Sequence, residues 1–236
     1  MKKNKIKIIG FIPAKKNSQD LKNKNFRKIN NLLLFELAIL NAKKSKFIDK
    51  IYLSSDSDKI LNKGIEHKVD VIKRKKYLCT NSASANSIIL DFIKNNLEKY
   101  KEKNYIIVYL QPTSPFRNND HIDDSINYFL KKKLKTLLSV TENKNFFKSF
   151  SMDKKTLNPF FKSEFVTSNR QNLKKTYSPN GAIYIFYSSD FMKNKKINFF
   201  DSGYYTMNKI DSIDIDDESD YEIAKHLSKK YIKIKK

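Results

Sequence analysis

The sequence predicts an α/β fold built on a mostly parallel, doubly wound sheet. Apolar strand-like runs alternate with helix-like periods from residue 6 to residue 141, which is the order typical of β–α–β units. Residues 106–110 are apolar throughout, as expected of a central strand that is covered on both faces. The 236 residues are sufficient for one such domain with a real hydrophobic core.

Each element follows from the local pattern of apolar residues. We predict strands at residues 6–13, 51–53, 69–72, 106–110, 137–140 and 182–186. We predict helices at residues 32–42 and 84–101, and a third that begins at a cap at Asn119 or Asp120 and runs through Leu130. A last helix follows the acidic stretch 214–220 and has Ile223, Leu227 and Tyr231 at spacings of four. Strands that alternate with helices in this way favour parallel pairing.

The alternation ends after Thr141, where a phenylalanine-rich segment has poor helical periodicity. Six phenylalanines fall between residues 146 and 165. We interpret residues 142–180 as an inserted hairpin or arm. Apolar aromatic side chains outside the main sheet either cover a second subunit or form a local cap over the sheet, and the sequence leaves both interpretations open.

The composition narrows the choice of partners and compartment. The formal net charge is +23, but the lysines are spread along the whole chain and no nucleic-acid-binding signature accompanies them, so we expect anionic substrates rather than nucleic acid. The single cysteine, Cys79, excludes an internal disulfide framework and fits a reducing cytoplasm. The first apolar run is too short for a signal peptide, and no segment is long enough to span a bilayer, so we expect no membrane partner.

The first strand leads into a polar, basic loop at residues 14–25. Ligands of α/β proteins bind beyond the carboxyl ends of the strands, and ammonium groups with backbone N–H groups suit a polyphosphate. The loop has neither the G-x-x-x-x-G-K-[ST] nor the G-x-G-x-x-G pattern, which argues against a P-loop ATPase and a dinucleotide-binding dehydrogenase. The alternative is an ordinary solvated loop.

Two further polar segments carry side chains that are suited to bind a ligand. At residues 110–117 (LQPTSPFR), prolines hold Gln111, Thr113 and Ser114, which suits a sugar ligand, unless the segment is only a turn that ends the strand. At residues 213–216 (IDID), an extended chain would place Asp214 and Asp216 on one face, a natural Mg²⁺ site. A helix N-terminus explains the acidic residues 217–220 but not this alternation. No nucleophile motif is present, so the three segments together favour nucleotidyl transfer.

These residues, taken in order, resemble the CMP-sialic acid synthetase (acylneuraminate cytidylyltransferase) family over nearly the whole chain. The matching segments are residues 12–25 (IPAKKNSQDLKNKN), 54–57 (SSDS), 110–117, 170–171 (RQ), 180–184 (NGAIY) with Tyr177, and 213–216. The segments RQ and NGAIY are similar to the sialate and legionaminate branch of the family. The resemblance therefore covers all three of the polar segments.

The resemblance implies a fold, a reaction and a set of site residues. It implies a Rossmann-like nucleotidyltransferase fold, one cytidylyltransferase domain over residues 1–236, a homodimer with an exchanged arm at about residues 142–180, and Mg²⁺ as cofactor. The substrates would be CTP and a nonulosonic acid. The implied nucleotide-binding residues are Ala14, Lys15, Ser18, Lys24, Asn25, Arg74 and Ser84; the substrate-binding residues are Gln111, Thr113, Arg170 and Gln171; the metal ligands are Asp214 and Asp216; the catalytic residues are Lys15, Lys24, Asp214 and Asp216.

The opening loop departs from the family pattern. The family's Ala-Arg-x-Gly-Ser-Lys-Gly is replaced here by AKKNSQD at residues 14–20, which loses two glycines and exchanges an arginine fork for the ammonium group of Lys15. Two alternatives therefore stand beside a sialate- or legionaminate-type enzyme. One is a nucleotidyltransferase for pseudaminate or another sugar acid, and the other is an inactive basic binding protein on the same scaffold.

Overall fold

The fold is organised around one large β-sheet. A computed structural model describes residues 6–17, 21–80, 82–97 and 104–232. The strands in these ranges are β1 (Lys7–Pro13), β2 (Lys28–Ile29), β3 (Leu32–Leu33), β4 (Lys50–Ser55), β5 (Asp70–Lys73), β6 (Tyr105–Tyr109), β7 (Thr136–Glu142), β8 (Phe150–Asp153), β9 (Thr156–Pro159), β10 (Tyr177–Tyr187) and β11 (Gly203–Thr206). Seven of these form the main sheet in the order β11-β7-β10-β6-β1-β4-β5.

All neighbouring strands of this sheet pair in parallel except at β10, which runs antiparallel to both β6 and β7. The helices in the described ranges are α1 (Leu34–Lys44), α2 (Asp58–Glu66), α3 (Ala85–Phe92, continued by a π-helical turn at Ile93–Leu97), α4 (Asn119–Lys131), α5 (Glu164–Thr167), α6 (Ser188–Asn194) and α7 (Glu218–Tyr231). None of the helices described is long and apolar enough to cross a membrane.

The side chains of β1 alternate between two hydrophobic layers. Ile8 and Ile12 pack in the layer that contains α1, α2 and α4, while Ile9 and Phe11 pack in the layer that contains α3 and α6. This alternation follows from the two-residue period of a strand. Helices therefore cover both faces, and the prediction of a mostly parallel, doubly wound α/β sheet is confirmed.

Two predicted helix starts were wrong. The helix predicted from residue 32 begins at Leu34, because Leu32–Leu33 pairs with β2 in a short hairpin. Asn30 and Asn31, at the turn, have φ of 48° and 66°, the left-handed values that two-residue hairpin turns require. Helix α4 is capped by Asn118 rather than by Asn119 or Asp120, since the Asn118 side chain accepts a hydrogen bond from the His121 N–H at 2.9 Å.

The other two helices differ from their predictions in length or orientation. Helix α3 gives way to π-helical geometry after Phe92, and residues 98–101 of the predicted helix lie outside the described residues. In α7 the predicted apolar stripe is not the buried one, since Ile223 and Tyr231 are 53% and 46% exposed. The buried face consists of Tyr221, Ala224 and Ser228. A small residue and a hydroxyl on this face let α7 approach the β2–β3 hairpin closely.

The phenylalanine-rich segment forms an arm built on the β8–β9 hairpin. Phe146, Phe147, Phe161 and Phe165 pack against one another with ring centroids 5.0 to 5.6 Å apart. Other apolar side chains of the arm face solvent, including Phe160 at 66% exposure. The arm thus has its own small aromatic cluster and also a free apolar surface.

Replacing Phe92 by alanine should destabilise the fold strongly. Phe92 is 2% exposed and stacks on Phe11 with ring centroids 4.2 Å apart, so its loss leaves a cavity between α3 and the sheet. We expect the free energy of unfolding in urea to fall by about 3–5 kcal/mol. The control is Phe200→Ala, at a side chain that is 89% exposed, for which we expect a change within about 0.5 kcal/mol. Equal effects of the two substitutions would contradict this description of the core.

Candidate functional site

Polar side chains from distant parts of the chain meet at the carboxyl edge of the parallel strands. Strands β1, β4 and β6 are neighbours and end at this edge. Residues 213–216, which link β11 to α7, cross the same edge, because the Ile215 N–H donates to the Thr113 carbonyl at 2.9 Å. The predicted acidic and sugar-binding segments are therefore in direct contact.

The start of the opening loop is fixed to the neighbouring strand. The Ala14 N–H donates to the Ser54 carbonyl at 2.8 Å, and the Lys16 N–H donates to Asp56 Oδ1 at 2.7 Å. Both bonds fix the backbone of the loop rather than its side chains. The lysine side chains of this loop therefore extend from a backbone that is held in place. Ser18 lies outside the described residues.

The end of the opening loop brings Lys24 and Asn25 into the site. Both residues are buried in a short 3-10 helix. The Asn25 side-chain amide donates to the Lys15 carbonyl at 2.7 Å, which ties the two ends of the loop together. Lys24 Nζ binds Asp216 Oδ1 at 3.0 Å. The structure thus joins the predicted nucleotide-binding loop to one of the predicted metal ligands.

The two predicted metal ligands have unlike surroundings. Residues 213–216 are not part of a strand, but Ile213 and Ile215 do pack together in one hydrophobic cluster, as their alternation with the aspartates predicts. The Asp216 side chain is 70% exposed. Asp214 is largely buried, and burial raises its pKa, with a smaller contribution from the negative charge of Asp216.

The oxygen atoms of this pair fit a divalent cation. Asp214 Oδ1 is buried and has no hydrogen-bond partner among the described residues, and the nearby Thr113 side chain partly offsets the rise in the pKa of this carboxyl. An unpaired buried carboxylate oxygen is costly unless a cation satisfies it. Mg²⁺ takes such hard oxygen ligands, together with phosphate oxygens and water. Asp214 and Asp216 are therefore suited to hold Mg²⁺.

Gln111 approaches the same carboxylate across Gly181. A Cβ atom on Gly181 would lie 2.6 Å from Gln111 Oε1 and 2.8 Å from Asp214 Oδ2, and the φ of Gly181 is +75°. Only glycine combines this backbone conformation with such a close approach. Tyr109, at the end of β6, is buried, and this burial raises its pKa to about 12. The predicted sugar-binding residues Gln111 and Thr113 therefore lie beside the acidic pair.

Sequence reasoning assigned no role to Arg117 and Asn180, although both lie in the quoted motifs. The Arg117 guanidinium is 1% exposed, and its Nη1 donates to the carbonyl oxygens of Gln111 and Ala182 at 2.7 and 2.8 Å. The Asn180 amide donates to Ser212 Oγ at 2.9 Å, two residues before Asp214. The sequence does contain one signal for the role of Arg117. This residue ends an apolar, proline-containing run, where a charged side chain becomes buried and therefore needs hydrogen-bond partners.

In this conformation the side chains of Arg74 and Ser84 stabilise the neighbouring backbone. Arg74 is buried, and its side chain donates to the carbonyl and the hydroxyl of Ser54 at 3.0 and 3.3 Å. Burial lowers the pKa of the guanidinium. Ser84 is the N-cap of α3 and accepts from the Ser87 N–H at 3.1 Å. Within the part of the chain that the structure describes, neither side chain contacts the acidic pair.

The remaining predicted residues, Arg170 and Gln171, lie on the arm. Both are exposed, and Arg170 Nη2 binds Asn145 Oδ1 at 3.3 Å. They line a cavity of about 260 Å³ that includes Glu142, at the end of β7. In the described residues this cavity is separate from the group formed by Lys24, Asp214 and Asp216. The structure thus unites the nucleotide-loop and metal residues and leaves the arm residues apart.

Comparison with known proteins gives consistent relatives. Residues 9–235 match the model of the cytidylyltransferase family. The N-acylneuraminate cytidylyltransferase of Escherichia coli is 32% identical over 220 residues, which cover 92% of this chain and 51% of that protein. The CMP-N,N'-diacetyllegionaminic acid synthase of Campylobacter jejuni is 27% identical, with 93% and 94% of the two chains covered. The chain therefore spans about half the length of the E. coli relative and nearly all of the Campylobacter one.

A solved structure shares the fold. The CMP:2-keto-3-deoxy-manno-octonic acid synthetase complexed with CTP superposes with a TM-score of 0.68, over 94% of this chain and 98% of that one. The sequence identity is 11%, so this likeness concerns the fold alone. It confirms the predicted Rossmann-like nucleotidyltransferase class.

Replacing Asp214 by asparagine should stabilise the fold at neutral pH. Because the pKa of Asp214 is raised, the folded chain keeps this proton at pH values where the unfolded chain has released it. Stability is therefore lost as the pH rises from the ordinary pKa of 3.8 through the raised pKa. We expect Asp214→Asn to raise the free energy of unfolding in urea at about pH 7 and to leave it unchanged at about pH 3.

Asp217 provides a matched control of opposite sign. Its hydrogen bonds from Ser219 and Asp220 lower its pKa, so its carboxylate contributes stability that is present above the ordinary pKa and lost as the pH falls. Asp217→Asn should therefore lower the free energy of unfolding at neutral pH. A destabilising effect of Asp214→Asn at neutral pH would refute the assignment of a desolvated carboxylate.

Proposed function

The chain belongs to the cytidylyltransferase family, and from that membership we propose that it transfers CMP from CTP to a nonulosonic acid, with release of pyrophosphate. The sugar acid is of the sialate or legionaminate type, in keeping with the two relatives described above. The observation that carries the proposal is the contact of Lys24 with Asp216, beside the unpaired oxygen of Asp214. This contact places an ammonium group that suits phosphate next to carboxylate oxygens that suit a metal.

The opening loop binds the triphosphate. Ala14 and Lys16 are anchored through their backbone, and Lys15 is tied to Asn25 through its carbonyl, so the backbone that carries Lys15 and Lys24 is fixed at the strand edge. Lys24 is only 8% exposed, which places its charge in a partly desolvated site where it acts strongly on phosphate oxygens. Ser18 belongs to the same loop.

Asp214 and Asp216 hold Mg²⁺. The metal, when bound, neutralises charge on the phosphate oxygens. The buried Asp214 contributes a carboxylate oxygen that has no competing hydrogen-bond donor among the described residues. The hydrogen bond from the Ile215 N–H to the Thr113 carbonyl and the packing of Ile213 and Ile215 in one hydrophobic cluster fix the acidic segment beside the end of β6. These contacts position the ligand atoms before substrate arrives.

The reaction is a displacement at the α-phosphorus of CTP. The anomeric hydroxyl of the sugar acid releases its proton to solvent water and forms the new P–O bond. The bond between the α-phosphorus and the bridging oxygen breaks, and its electron pair leaves with pyrophosphate. Gln111 lies 2.6 Å from the Cβ position of Gly181, next to Asp214, and orients the sugar there. Lys15 and Lys24 stabilise the departing pyrophosphate. Catalysis rests on positioning and charge neutralisation.

The assembly and location belong to the same proposal. Residues 1–236 form one cytidylyltransferase domain, since the main strands make one sheet, and residues 142–180 form the arm of a homodimer. The apolar side chains that face solvent on this arm, such as Phe160, support a subunit contact. The free thiol of Cys79 supports a cytoplasmic location.

The central experiment measures pyrophosphate release with CTP, Mg²⁺ and a panel of nonulosonic acids. We expect turnover with a sialate- or legionaminate-type acid, and Asp216→Asn should lower kcat roughly a hundredfold or more while the thermal unfolding midpoint is kept. Glu222→Gln, an exposed carboxylate of α7, is the matched control and should leave kcat unchanged. Turnover only with pseudaminate would change the substrate, and no release with any acid would favour an inactive binding protein.

Arg170 should affect the sugar acid more than the nucleotide. Its guanidinium is exposed on the arm and, because the proposed homodimer exchanges this arm, it suits the carboxylate of a sugar acid bound in the site of the partner subunit. We expect Arg170→Ala to raise the KM for the sugar acid roughly tenfold, with the KM for CTP unchanged. Lys174→Ala, at another cation of the same cavity, is the control and should have a smaller effect. An increase in the KM for CTP of the same size would remove Arg170 from the sugar-acid pocket.

A further inference from the structure

The fold gathers two lysine-rich segments at the edge of the sheet opposite the site. The first segment, residues 131–135 (KKKLK), follows α4, and the second, residues 193–196 (KNKK), ends α6. They are about sixty residues apart in sequence. Both segments contribute lysines to one cavity of about 520 Å³, which is also lined by Thr136 at the start of β7 and Phe186 near the end of β10. The even spread of lysine along the sequence conceals this cluster.

The ammonium groups of this cluster have no ion-pair partner in the part of the chain that the structure describes. The seven lysines of the two segments, namely Lys131, Lys132, Lys133, Lys135, Lys193, Lys195 and Lys196, are all exposed. Among residues 6–17, 21–80, 82–97 and 104–232, the ion pairs involve none of them. Two carboxylates, Asp190 and Asp201, line the same cavity. The cluster therefore presents a strong positive excess to solvent.

An apolar side chain stands at the rim of this basic cavity. Phe200 is 89% exposed, the highest exposure of any large apolar side chain described, while Phe186 and Phe191 form a buried floor at 2% each. Neighbouring Phe199 is 51% exposed, and its ring lies 6.1 Å from that of Tyr184. An exposed aromatic ring that shares a cavity with lysines suits an interface that is both apolar and anionic.

We propose that this edge, with Phe200 at its centre, docks on the surface of a bilayer that contains anionic lipids. Lysines near such a surface are attracted to the headgroups, and an aromatic ring inserts at the acyl boundary. The chain needs no spanning helix for this contact. Docking by the amino edge of the parallel strands also leaves the opposite edge, which carries Lys24 and Asp216, open to substrate.

A bilayer explains the patch better than a nucleic acid does. Single-stranded nucleic acids are held by several rings along a groove, often with arginine. Of the three phenylalanines that line this cavity, only Phe200 is exposed, and none of the four arginines of the chain lies in either lysine segment. The sequence alone predicts no membrane partner, because it contains no long apolar run and conceals the convergence of the two segments.

The test is flotation of the full chain with vesicles of phosphatidylcholine, alone or mixed in equal parts with phosphatidylglycerol. We expect binding to the mixed vesicles only. Phe200→Ser should lower the partition coefficient roughly tenfold, and Phe200→Trp should preserve it. Ile65→Ser removes an exposed apolar side chain of α2 and is the matched control, which should bind as the unmodified chain does.

A second pair of variants separates the patch from the overall positive charge. Replacing Lys133, Lys135, Lys193 and Lys196 by serine should weaken binding by roughly two orders of magnitude. The same change at four exposed lysines elsewhere, Lys46, Lys94, Lys155 and Lys229, should weaken it far less. Equal losses in the two sets, or no loss with Phe200→Ser, would overturn the proposal.

Two further measurements test whether the patch binds nucleic acid instead and whether Phe200→Ser keeps its fold and activity. Single-stranded RNA is tested with the same variants, and an equal dependence of RNA binding on Phe200 and the four lysines would assign the patch to nucleic acid instead. Circular dichroism melting and pyrophosphate release should be unchanged in Phe200→Ser, because the side chain is exposed and remote from the site. Vesicle binding is measured without turnover, so its outcome is independent of the proposed reaction.

Discussion

The buried guanidinium of Arg117 is the constraint on which the geometry of the site depends. It binds the carbonyl oxygens of Gln111 and Ala182 and so joins the end of β6 to an irregular part of β10. Burial lowers the pKa of Arg117 to about 10, which still leaves it charged at neutral pH. A buried charge requires such partners, and each of the two carbonyls belongs to or adjoins a residue that faces Asp214. One cation therefore fixes both sides of the site.

The irregularity in β10 has a function that a regular strand could not supply. The pairing register of β10 with β7 shifts between Pro179 and Tyr184. Within this bulge Gly181 has a positive φ, and the Asn180 side chain accepts a hydrogen bond from Ser139 and donates one to Ser212. The bulge thus reaches across to the segment that carries Asp214. Bulges redirect side chains in this way at the edges of sheets.

Most of the fold could be predicted from the sequence, whereas the supports of the site could not. Apolar runs in the sequence identify six of the seven strands of the main sheet, whereas the edge strand β11 was not predicted. Lys24, Asp214 and Asp216 were also predicted, and the structure brings them together. The roles of Arg117 and Asn180 were not predicted, because each depends on a partner that is distant in sequence, Ala182 at 65 residues and Ser212 at 32 residues. The orientation of α7 was likewise not predictable from the local pattern. Its predicted apolar stripe is largely exposed, because tertiary packing buries the face with Tyr221, Ala224 and Ser228.

The ion pair between Lys24 and Asp216 indicates which charge of the site is fixed. The Lys24 side chain is 11% exposed and the Asp216 side chain is 70% exposed, so the cation is held by its surroundings while the carboxylate remains accessible. Lys24 lies in a 3-10 helix whose next residue, Asn25, is bonded to the Lys15 carbonyl. The position of the ammonium group is therefore set by the loop frame rather than by its partner. A charge that is fixed before a ligand arrives requires no reorganisation to act on that ligand, and this is the condition under which electrostatic stabilisation is largest.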